Sequence, residues 1–240
     1  MEGATTMSKE LIKRLYYYST FDGCLHRQNK GCNASFIINM LKRNCDYVEC
    51  IKRTLEELEI GCWLMERKDY NTDGYGRKPQ IRLESRRHPK LTKIYERIYI
   101  DGHKVIDPHM LTLLDAEALA IIFMADGSRH TGVGVSSTKA YYRLNTKGFS
   151  YGDNWLLKKA IKEKLDLEFN IHRQNQYFYL ALRAKDSELF ESLVSPYMLP
   201  SFRYKLGRQT LLEIEDDEIV CPVSRDAELG RNDLILQHGE

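Results

Sequence analysis

Two aspartates that each precede a glycine are the residues whose type and position best suit chemistry. Asp126-Gly127 ends a continuous apolar run at residues 118–125, and Asp22-Gly23 ends a similar, tyrosine-rich stretch earlier in the chain. A carboxylate at the end of a rigid, buried helix is well placed to bind a divalent metal ion. The alternative interpretation is a core helix that ends in an ordinary Asp-Gly turn.

The apolar run predicts a helix that is buried on every side. Residues 118–125 carry no polar side chain, so no face of such a helix is suited to water. The run is also far shorter than the roughly 20 residues that a membrane span needs. Thr112 or Asp115 can cap the start of this helix, and Gly127 can end it.

The order of elements after each Asp-Gly pair is the same, which predicts an internal repeat. Each pair is followed by two strands, a helix, two more strands, a second helix and then a lysine. A repeat of roughly 100 residues indicates a pseudo-dimer within one chain. We therefore predict an α+β fold of two pseudo-symmetric α-ββ-α-ββ-α repeats, at residues 8–107 and 108–208, and an acidic C-terminal extension at 209–240.

In each repeat we expect a four-stranded antiparallel sheet with helices on one face only. The two motif helices, which end at Asp22 and Asp126, should pack against each other. Hydrophobic periodicity predicts further helices near residues 45–59, 89–99, 153–165 and 186–195. Strands are expected near residues 24–29, 34–40, 60–69, 77–86, 128–134, 138–146, 167–174 and 177–184.

Charge is distributed unevenly along the chain, although the net charge is only +2. Basic residues exceed acidic ones in residues 1–208, whereas acidic residues dominate 209–240. The basic part predicts a polyanionic partner. The acidic part is expected to be a solvated extension.

Composition narrows the class of protein further. The chain is 42% hydrophobic and 29% charged, and it contains no apolar run of membrane length and no secretory signal. We expect a globular intracellular protein with no membrane partner. The six cysteines include no CxxC pair, which favours reduced thiols over a zinc site.

Alternating side chains on three predicted strands form a polar, basic and tyrosine-rich sheet surface. Such side chains reach phosphates and base edges when a β-ribbon enters the major groove. An ordinary solvated sheet face is the alternative, but Lys and Glu would be expected to dominate there. The predicted DNA-binding residues are Lys78, Gln80, Arg82, Arg86, Lys139, Tyr141, Arg143, Asn145, Tyr177, Tyr179 and Arg183.

These residues and their flanks resemble the two-motif, single-chain type of LAGLIDADG homing endonuclease. Residues 119–120 and 125–127 reproduce five of the nine motif letters, and residues 119–128 are similar to the variant LAxWFMDDGS. The sequence SPYMLPSFRYKL at residues 195–206 resembles the closing PYxIPSMxYKL segment of the family. Residues 85–89 with 99–106 resemble the segment that precedes the second motif.

The resemblance implies a site-specific endonuclease that makes a staggered double-strand break in a long, asymmetric DNA site. Two saddle-shaped sheets would grip double-stranded DNA, and Asp22 and Asp126 would hold Mg²⁺. Lys104 and Lys205 match the basic residue of each repeat and would lie near the attacking water or the scissile phosphate. The resemblance also implies a monomer, located in a phage or bacterial cytoplasm or in a mitochondrion or chloroplast.

The first motif departs from the family pattern. Phe21 stands where glycine or alanine normally allows the motif helices to approach closely. We expect its ring to push the two carboxylates apart, which would give a slow enzyme, a nickase or a binding-only relative. An RNA maturase that assists intron splicing, with intron RNA as its partner, is the other alternative on this fold.

Overall fold

The computed structural model describes residues 2–67, 79–131 and 140–206. The first repeat begins with the long motif helix α1, which ends at Phe21, directly before Asp22. Its elements are α1 (Glu2–Phe21), β1 (Cys24–His26), β2 (Ser35–Leu41), α2 (Cys45–Glu57), β3 (Cys62–Arg67), β4 (Gln80–Ser85) and α3 (Pro89–Ile98).

A short hairpin and a short helix connect the repeats, and the second repeat follows the order of the first. The connecting elements are β5 (Tyr99–Ile100), β6 (His103–Lys104) and α4 (Pro108–Thr112). The second repeat comprises α5 (Ala116–Asp126), β7 (Gly127–Thr131), β8 (Ala140–Leu144), α6 (Tyr151–Leu165), β9 (Phe169–Gln174), β10 (Tyr177–Leu182), α7 (Ser187–Val194) and a closing 3₁₀ helix (Pro200–Leu206).

The two four-stranded sheets have the same topology, which confirms the predicted α+β fold. Their strand orders are β1-β2-β4-β3 and β7-β8-β10-β9, and all neighbours are antiparallel. The predicted alternation is visible in β4, where Ile81 and Leu83 are fully buried while Gln80 and Arg82 are half-buried. A polar face therefore remains on the side of the sheet away from the core.

The second motif helix, α5, is buried on all sides, as its composition predicts. Every residue from Ala118 to Met124 is buried. Of the two predicted N-caps, Asp115 is the one used, because its carboxylate accepts a hydrogen bond from the Ala118 amide at 2.9 Å. Thr112 instead ends α4, where its hydroxyl donates to the His109 carbonyl at 2.7 Å.

An ion-pair cluster ties the middle of α1 to the N-terminal end of α5. The ammonium of Lys13, only 4% exposed, contacts Asp115 at 2.6 Å, Glu117 at 2.9 Å and also Glu10. Burial opposes the charge of Lys13, but the hydrogen bonds that it donates to these carboxylates raise its pKa above the ordinary value. A buried charge requires such partners, so this cluster fixes how α1 and α5 pair.

Phe21 is accommodated inside the interface between the repeats. Its ring stacks on Tyr17 at 6.3 Å and packs against Phe149 of the second repeat at 5.6 Å. The Asp22 carboxylate still raises the pKa of Asp126. That the Phe21 ring pushes the two carboxylates apart stays a prediction.

The sequence also predicts reduced cysteines and no membrane-spanning helix. Cys24, Cys32, Cys50 and Cys62 carry free thiols, whereas Cys45 does not, so the expectation of reduced thiols holds for these four. Within the described ranges, no helix has the length and apolar character that crossing a membrane requires.

Gly127 ends α5 for a steric reason. Its backbone is extended, with φ −81° and ψ 150°, so the left-handed conformation common after helices is not what requires glycine. A Cβ atom at this position would lie 2.0 Å from Phe123 Cδ2 and 2.3 Å from the Phe123 carbonyl oxygen. Only a residue without a side chain fits where β7 leaves the helix.

We predict that Gly127→Ala lowers the free energy of unfolding by about 1–3 kcal/mol, the usual cost of overpacking. Urea denaturation followed by circular dichroism measures this change. Gly148→Ala is the matched control, because a Cβ at Gly148 has no neighbour within 4 Å. Equal stability of the two variants would contradict the steric explanation.

Candidate metal centre and sheet surface

The two motif aspartates lie together at the C-terminal ends of α1 and α5. Asp126 is the last residue of α5, and Asp22 directly follows α1. Burial and the nearby Asp22 carboxylate raise the pKa of Asp126 to about 7, and burial also raises the pKa of Asp22. The negative end of a helix dipole is a further unfavourable environment for a carboxylate. The pair therefore needs positive charge nearby.

Two lysines supply part of that charge, and each one caps the motif helix of its own repeat. Lys104 Nζ donates to the carbonyls of Gly23 at 2.5 Å and Thr20 at 3.2 Å. Lys205 Nζ donates to those of Met124 at 2.7 Å and Phe123 at 3.3 Å. The caps are equivalent in position, although β6 carries Lys104 and the closing 3₁₀ helix carries Lys205.

The four charged groups form one electrostatic cluster across the two repeats. Burial lowers the pKa of Lys205 to about 8 and also lowers that of Lys104, while both aspartates oppose this effect at each lysine. Both lysines in turn lower the pKa of Asp22 and of Asp126. The structure thus brings together all four residues that the sequence singled out around the motif.

The donor set of this cluster fits a divalent cation. Asp22 Oδ2 is buried and has no hydrogen-bond partner within the described ranges. A carboxylate oxygen left free beside a second carboxylate is the kind of ligand that hard cations prefer. An open cleft of about 360 Å³ lies beside it, lined by residues that include Asp22, Asn44, Gln80 and Lys205.

A second acidic group has metal-like spacing but a different role. Ligand atoms of Glu10, Asp115 and Glu117 lie within 4.8 Å of one another. The Lys13 ammonium contacts all three carboxylates and already compensates their charge. This cluster lies near the middle of α1, roughly 14 Å from Asp22 along the helix axis.

The exposed face of the second sheet carries a continuous ladder of stacked rings around one arginine. The Arg143 guanidinium lies 5.2 Å from the Tyr141 ring centroid and 5.0 Å from that of Tyr179. Its Nη2 donates to the Tyr141 hydroxyl at 3.1 Å. His130 stacks on Tyr141 at 5.3 Å, and His172 stacks on Tyr179 at 5.4 Å. This stacked ladder spans all four strands, β7, β8, β10 and β9.

Two members of the ladder, His130 and His172, were missed by the sequence analysis. They lie directly opposite Tyr141 and Tyr179 in the strand register. Period-two alternation along β7 and β9 could have placed them on the same face. Only the pairing of the strands, however, shows that they extend the stack.

Asn145 has a contact that its predicted role did not include. Its side-chain amide donates to the Asp126 carbonyl at 2.9 Å and to Ser128 Oγ at 3.1 Å, and its backbone amide also donates to the Asp126 carbonyl at 2.8 Å. Asn145 therefore ties the end of β8 to the end of the motif helix. This contact fixes the backbone of Asp126.

The other predicted surface residues have varied surroundings. Arg82 pairs with Glu84 at 3.2 Å, and Arg183 pairs with Glu168 at 2.6 Å. Arg86 and Tyr177 are exposed, and Gln80 is half-buried. Lys78 and Lys139 lie outside the described residues.

Comparison with known proteins points to one family. The model of the LAGLIDADG DNA endonuclease family matches residues 21–190. A probable intron-encoded endonuclease 1 of Wickerhamomyces canadensis is 28% identical over 205 residues, which make up 84% of this chain and 86% of that protein.

Two further relatives match only part of the chain. The cytochrome b mRNA maturase bI2 of Saccharomyces cerevisiae is 32% identical over 107 residues, which are 43% of this chain and 23% of the maturase. An uncharacterized protein of Methanocaldococcus jannaschii is 34% identical over 127 residues. These residues cover 52% of this chain and 47% of that protein, so the chain spans about half of its length.

A solved structure shares the fold. The homing endonuclease I-WcaI, bound to its DNA recognition sequence, superimposes with a TM-score of 0.68 and 24% sequence identity. The superposition covers 82% of this chain and 86% of that chain. The arrangement of two pseudo-symmetric repeats is thus common to both proteins.

We predict that Asp126→Asn stabilises the metal-free protein at neutral pH. The folded pKa of Asp126 is about 7 against an ordinary value of 3.8, so between these values the folded state binds more protons than the unfolded state. Stability contributed by this group therefore falls as pH rises from about 4 to 7. The asparagine variant should be more stable at pH 8 by about 1–3 kcal/mol.

Urea denaturation in chelator at pH 4.5 and pH 8 measures the difference, which should nearly vanish at the lower pH. Asp166→Asn is the control, because Asp166 is exposed and pairs only with Lys162 among the contacts seen. An equal gain in stability at both pH values would show that the titration of Asp126 is not its source.

Proposed function

Because the chain belongs to the LAGLIDADG DNA endonuclease family, we propose that it is a site-specific DNA endonuclease. It would make a staggered double-strand break at a long asymmetric site by Mg²⁺-dependent phosphodiester hydrolysis. One observation carries this proposal: two carboxylates and two lysines from both repeats meet at the paired ends of the motif helices.

Asp22 and Asp126 are the proposed metal ligands. The buried, unpartnered oxygen of Asp22 supports this role, and so does the close approach of two carboxylates at the ends of their helices. A bound Mg²⁺ would neutralise charge on the phosphate and activate the attacking water. The protein itself holds both carboxylates rigidly, because each follows a buried helix.

Lys104 and Lys205 are the proposed charge-stabilising residues. An ammonium group has three N–H donors, and each lysine uses two of them on helix carbonyls. One donor of each therefore remains for a phosphate oxygen or a water. A donor held in place before the reaction stabilises charge that develops in the transition state.

Double-stranded DNA is the proposed substrate, gripped by the polar faces of the two sheets. The solved neighbour I-WcaI is bound to its DNA recognition sequence, which supports the same use of this surface. Arg143 is the central contact, since stacking holds its guanidinium in place. The remaining contacts of the proposal are Lys78, Gln80, Arg82, Arg86, Lys139, Tyr141, Asn145, Tyr177, Tyr179 and Arg183.

We further propose that the protein acts as a monomer inside the cell, in a phage, a bacterium or an organelle. One chain supplies both carboxylates, so a second copy is not required for the cluster. The relative from Wickerhamomyces canadensis is named as intron-encoded, which supports an origin in an intron. We also propose that the repeats comprise residues 8–107 and 108–208 and that residues 209–240 form an extension.

We predict that Asp22→Asn and Asp126→Asn each reduce cleavage by at least about 100-fold while DNA binding is retained. The substrate is DNA of an intron-free candidate locus with Mg²⁺, and both strands are labelled to detect nicks. Asp166→Asn is the matched control and should cleave as the wild type does. Full cleavage by Asp22→Asn or Asp126→Asn would refute the assignment of the metal ligands.

An RNA maturase is the second candidate, favoured by the partial match to a yeast maturase. The same wild-type protein is tested in a splicing assay of the host intron. If the DNA stays intact and the protein stimulates splicing, the protein is a maturase and not a nuclease. A single cut strand would identify a nickase.

We predict that Arg143→Lys weakens discrimination at one base pair by about 1–3 kcal/mol, because lysine keeps the charge but loses the bidentate fork. Affinity for random DNA and its salt dependence should remain unchanged. Binding to a set of single-substituted sites measures the discrimination. Arg97→Lys is the control, because Arg97 is not among the proposed DNA contacts and its guanidinium pairs with Asp107 at 3.6 Å. Loss of affinity for all sites alike would argue against base reading by Arg143.

A further inference from the structure

Tyr47 places a hydroxyl beside the metal-site carboxylate in a way that packing alone does not explain. The side chain is fully buried in α2, and its Oη has no partner in hydrogen-bonding geometry within the described ranges. Asp22, whose Oδ2 is also buried and unpartnered, interacts with this hydroxyl. A buried, unpaired hydroxyl is unfavourable, and phenylalanine would fill the same space without that cost.

The Tyr47 ring is held firmly by neighbours from both repeats. Tyr18 of α1 meets it edge-on at 5.4 Å, and Phe202 of the closing 3₁₀ helix packs on it at 5.2 Å. The adjacent Asp46 fixes this junction, because its carboxylate accepts from the Ser201 amide at 3.0 Å and from the Tyr47 amide at 2.8 Å.

The Phe202 ring, which packs on Tyr47, also lies close to Lys205. Its ammonium lies 5.3 Å from the centroid of the Phe202 ring. Tyr47 therefore interacts with Asp22 through its hydroxyl, and its ring supports the segment that carries Lys205. One residue of the first repeat thus connects charged groups from both repeats.

The second repeat is built differently at the corresponding helix. In α6 the counterpart of Asp46 is Asp153, whose carboxylate likewise accepts from a backbone amide outside its helix, that of Ile106 at 2.9 Å. The next residue is the buried Asn154, whose side-chain oxygen accepts a hydrogen bond from Thr146. The surroundings of Asp22 and Asp126 are not equivalent.

We propose that Tyr47 is a positioning residue that donates a hydrogen bond to Asp22 when a divalent cation and DNA occupy the site, and so orients this carboxylate but not Asp126. The inference rests on the proposed function, because it assigns Asp22 to the metal site. Hydrogen bonds to a ligating carboxylate fix its orientation, and their removal typically weakens metal binding by about 10-fold or more. The consequence is unequal nicking of the two strands when the hydroxyl is lost.

The experiment compares Tyr47→Phe with Tyr18→Phe. Tyr18 is a matched control, because it is buried beside Tyr47 while its hydroxyl interacts with Arg14 and Glu117. Mn²⁺ affinity of the protein and of its DNA complex is measured by electron paramagnetic resonance. Nicking of each strand is followed with separate end labels.

For Tyr47→Phe we expect Mn²⁺ affinity and the nicking rate of one strand to fall by about 10-fold, with DNA affinity and unfolding temperature preserved. Tyr18→Phe should match the wild type in all these measurements. Equal Mn²⁺ affinity and equal strand ratios for Tyr47→Phe and the wild type would overturn the inference, as would the same losses in Tyr18→Phe.

The Mn²⁺ measurement keeps the two proposals separate. If the wild type binds Mn²⁺ but cleaves no DNA, the nuclease function fails while the Tyr47 variant still decides the positioning role. If the wild type cleaves and Tyr47→Phe is unaffected, only the positioning role fails. Absence of Mn²⁺ binding to wild-type protein with and without DNA would overturn both.

Discussion

The pairing of the two apolar motif helices is the constraint on which the remaining structure depends. Because α5 has no polar face at residues 118–124, it must be enclosed by α1 and by elements of its own repeat. The Lys13 cluster fixes the pairing between the middle of α1 and the start of α5. As a result the C-terminal ends also meet, and two carboxylates are brought into a partly buried position that they would not occupy as independent surface residues.

A partly buried position is unfavourable for two negative charges, and two positively charged side chains lie nearby. Burial and mutual repulsion raise the pKa of Asp126 to about 7, while Lys104 and Lys205 offset part of the negative charge. The lysines are themselves desolvated, which lowers the pKa of Lys205 to about 8. A site that holds like charges together in this way lowers folding stability, which the proposed metal and phosphate binding would offset.

The two repeats share a topology but have diverged in their details. The second sheet carries the stacked ladder around Arg143, whereas Arg82 of the first sheet pairs with Glu84. Near the metal-site carboxylates, Tyr47 lies beside Asp22, and Asn145 holds the backbone of Asp126. Such asymmetry suits recognition of an asymmetric DNA site, because the two halves of the site then meet different side chains.

The sequence by itself determined the repeat, the buried motif helix, the alternation of β4 and the positions of the two aspartates. Each of these follows from local periodicity or from residue type, which a linear chain displays directly. Tertiary structure alone decided that Asp115 caps α5, that Phe21 fits between Tyr17 and Phe149, and that Tyr47 faces Asp22. The contacts of Phe21 with Phe149 and of Tyr47 with Asp22 join residues far apart in sequence. The use of Asp115 as the cap depends on where α4 ends. All three therefore depend on how the elements pack.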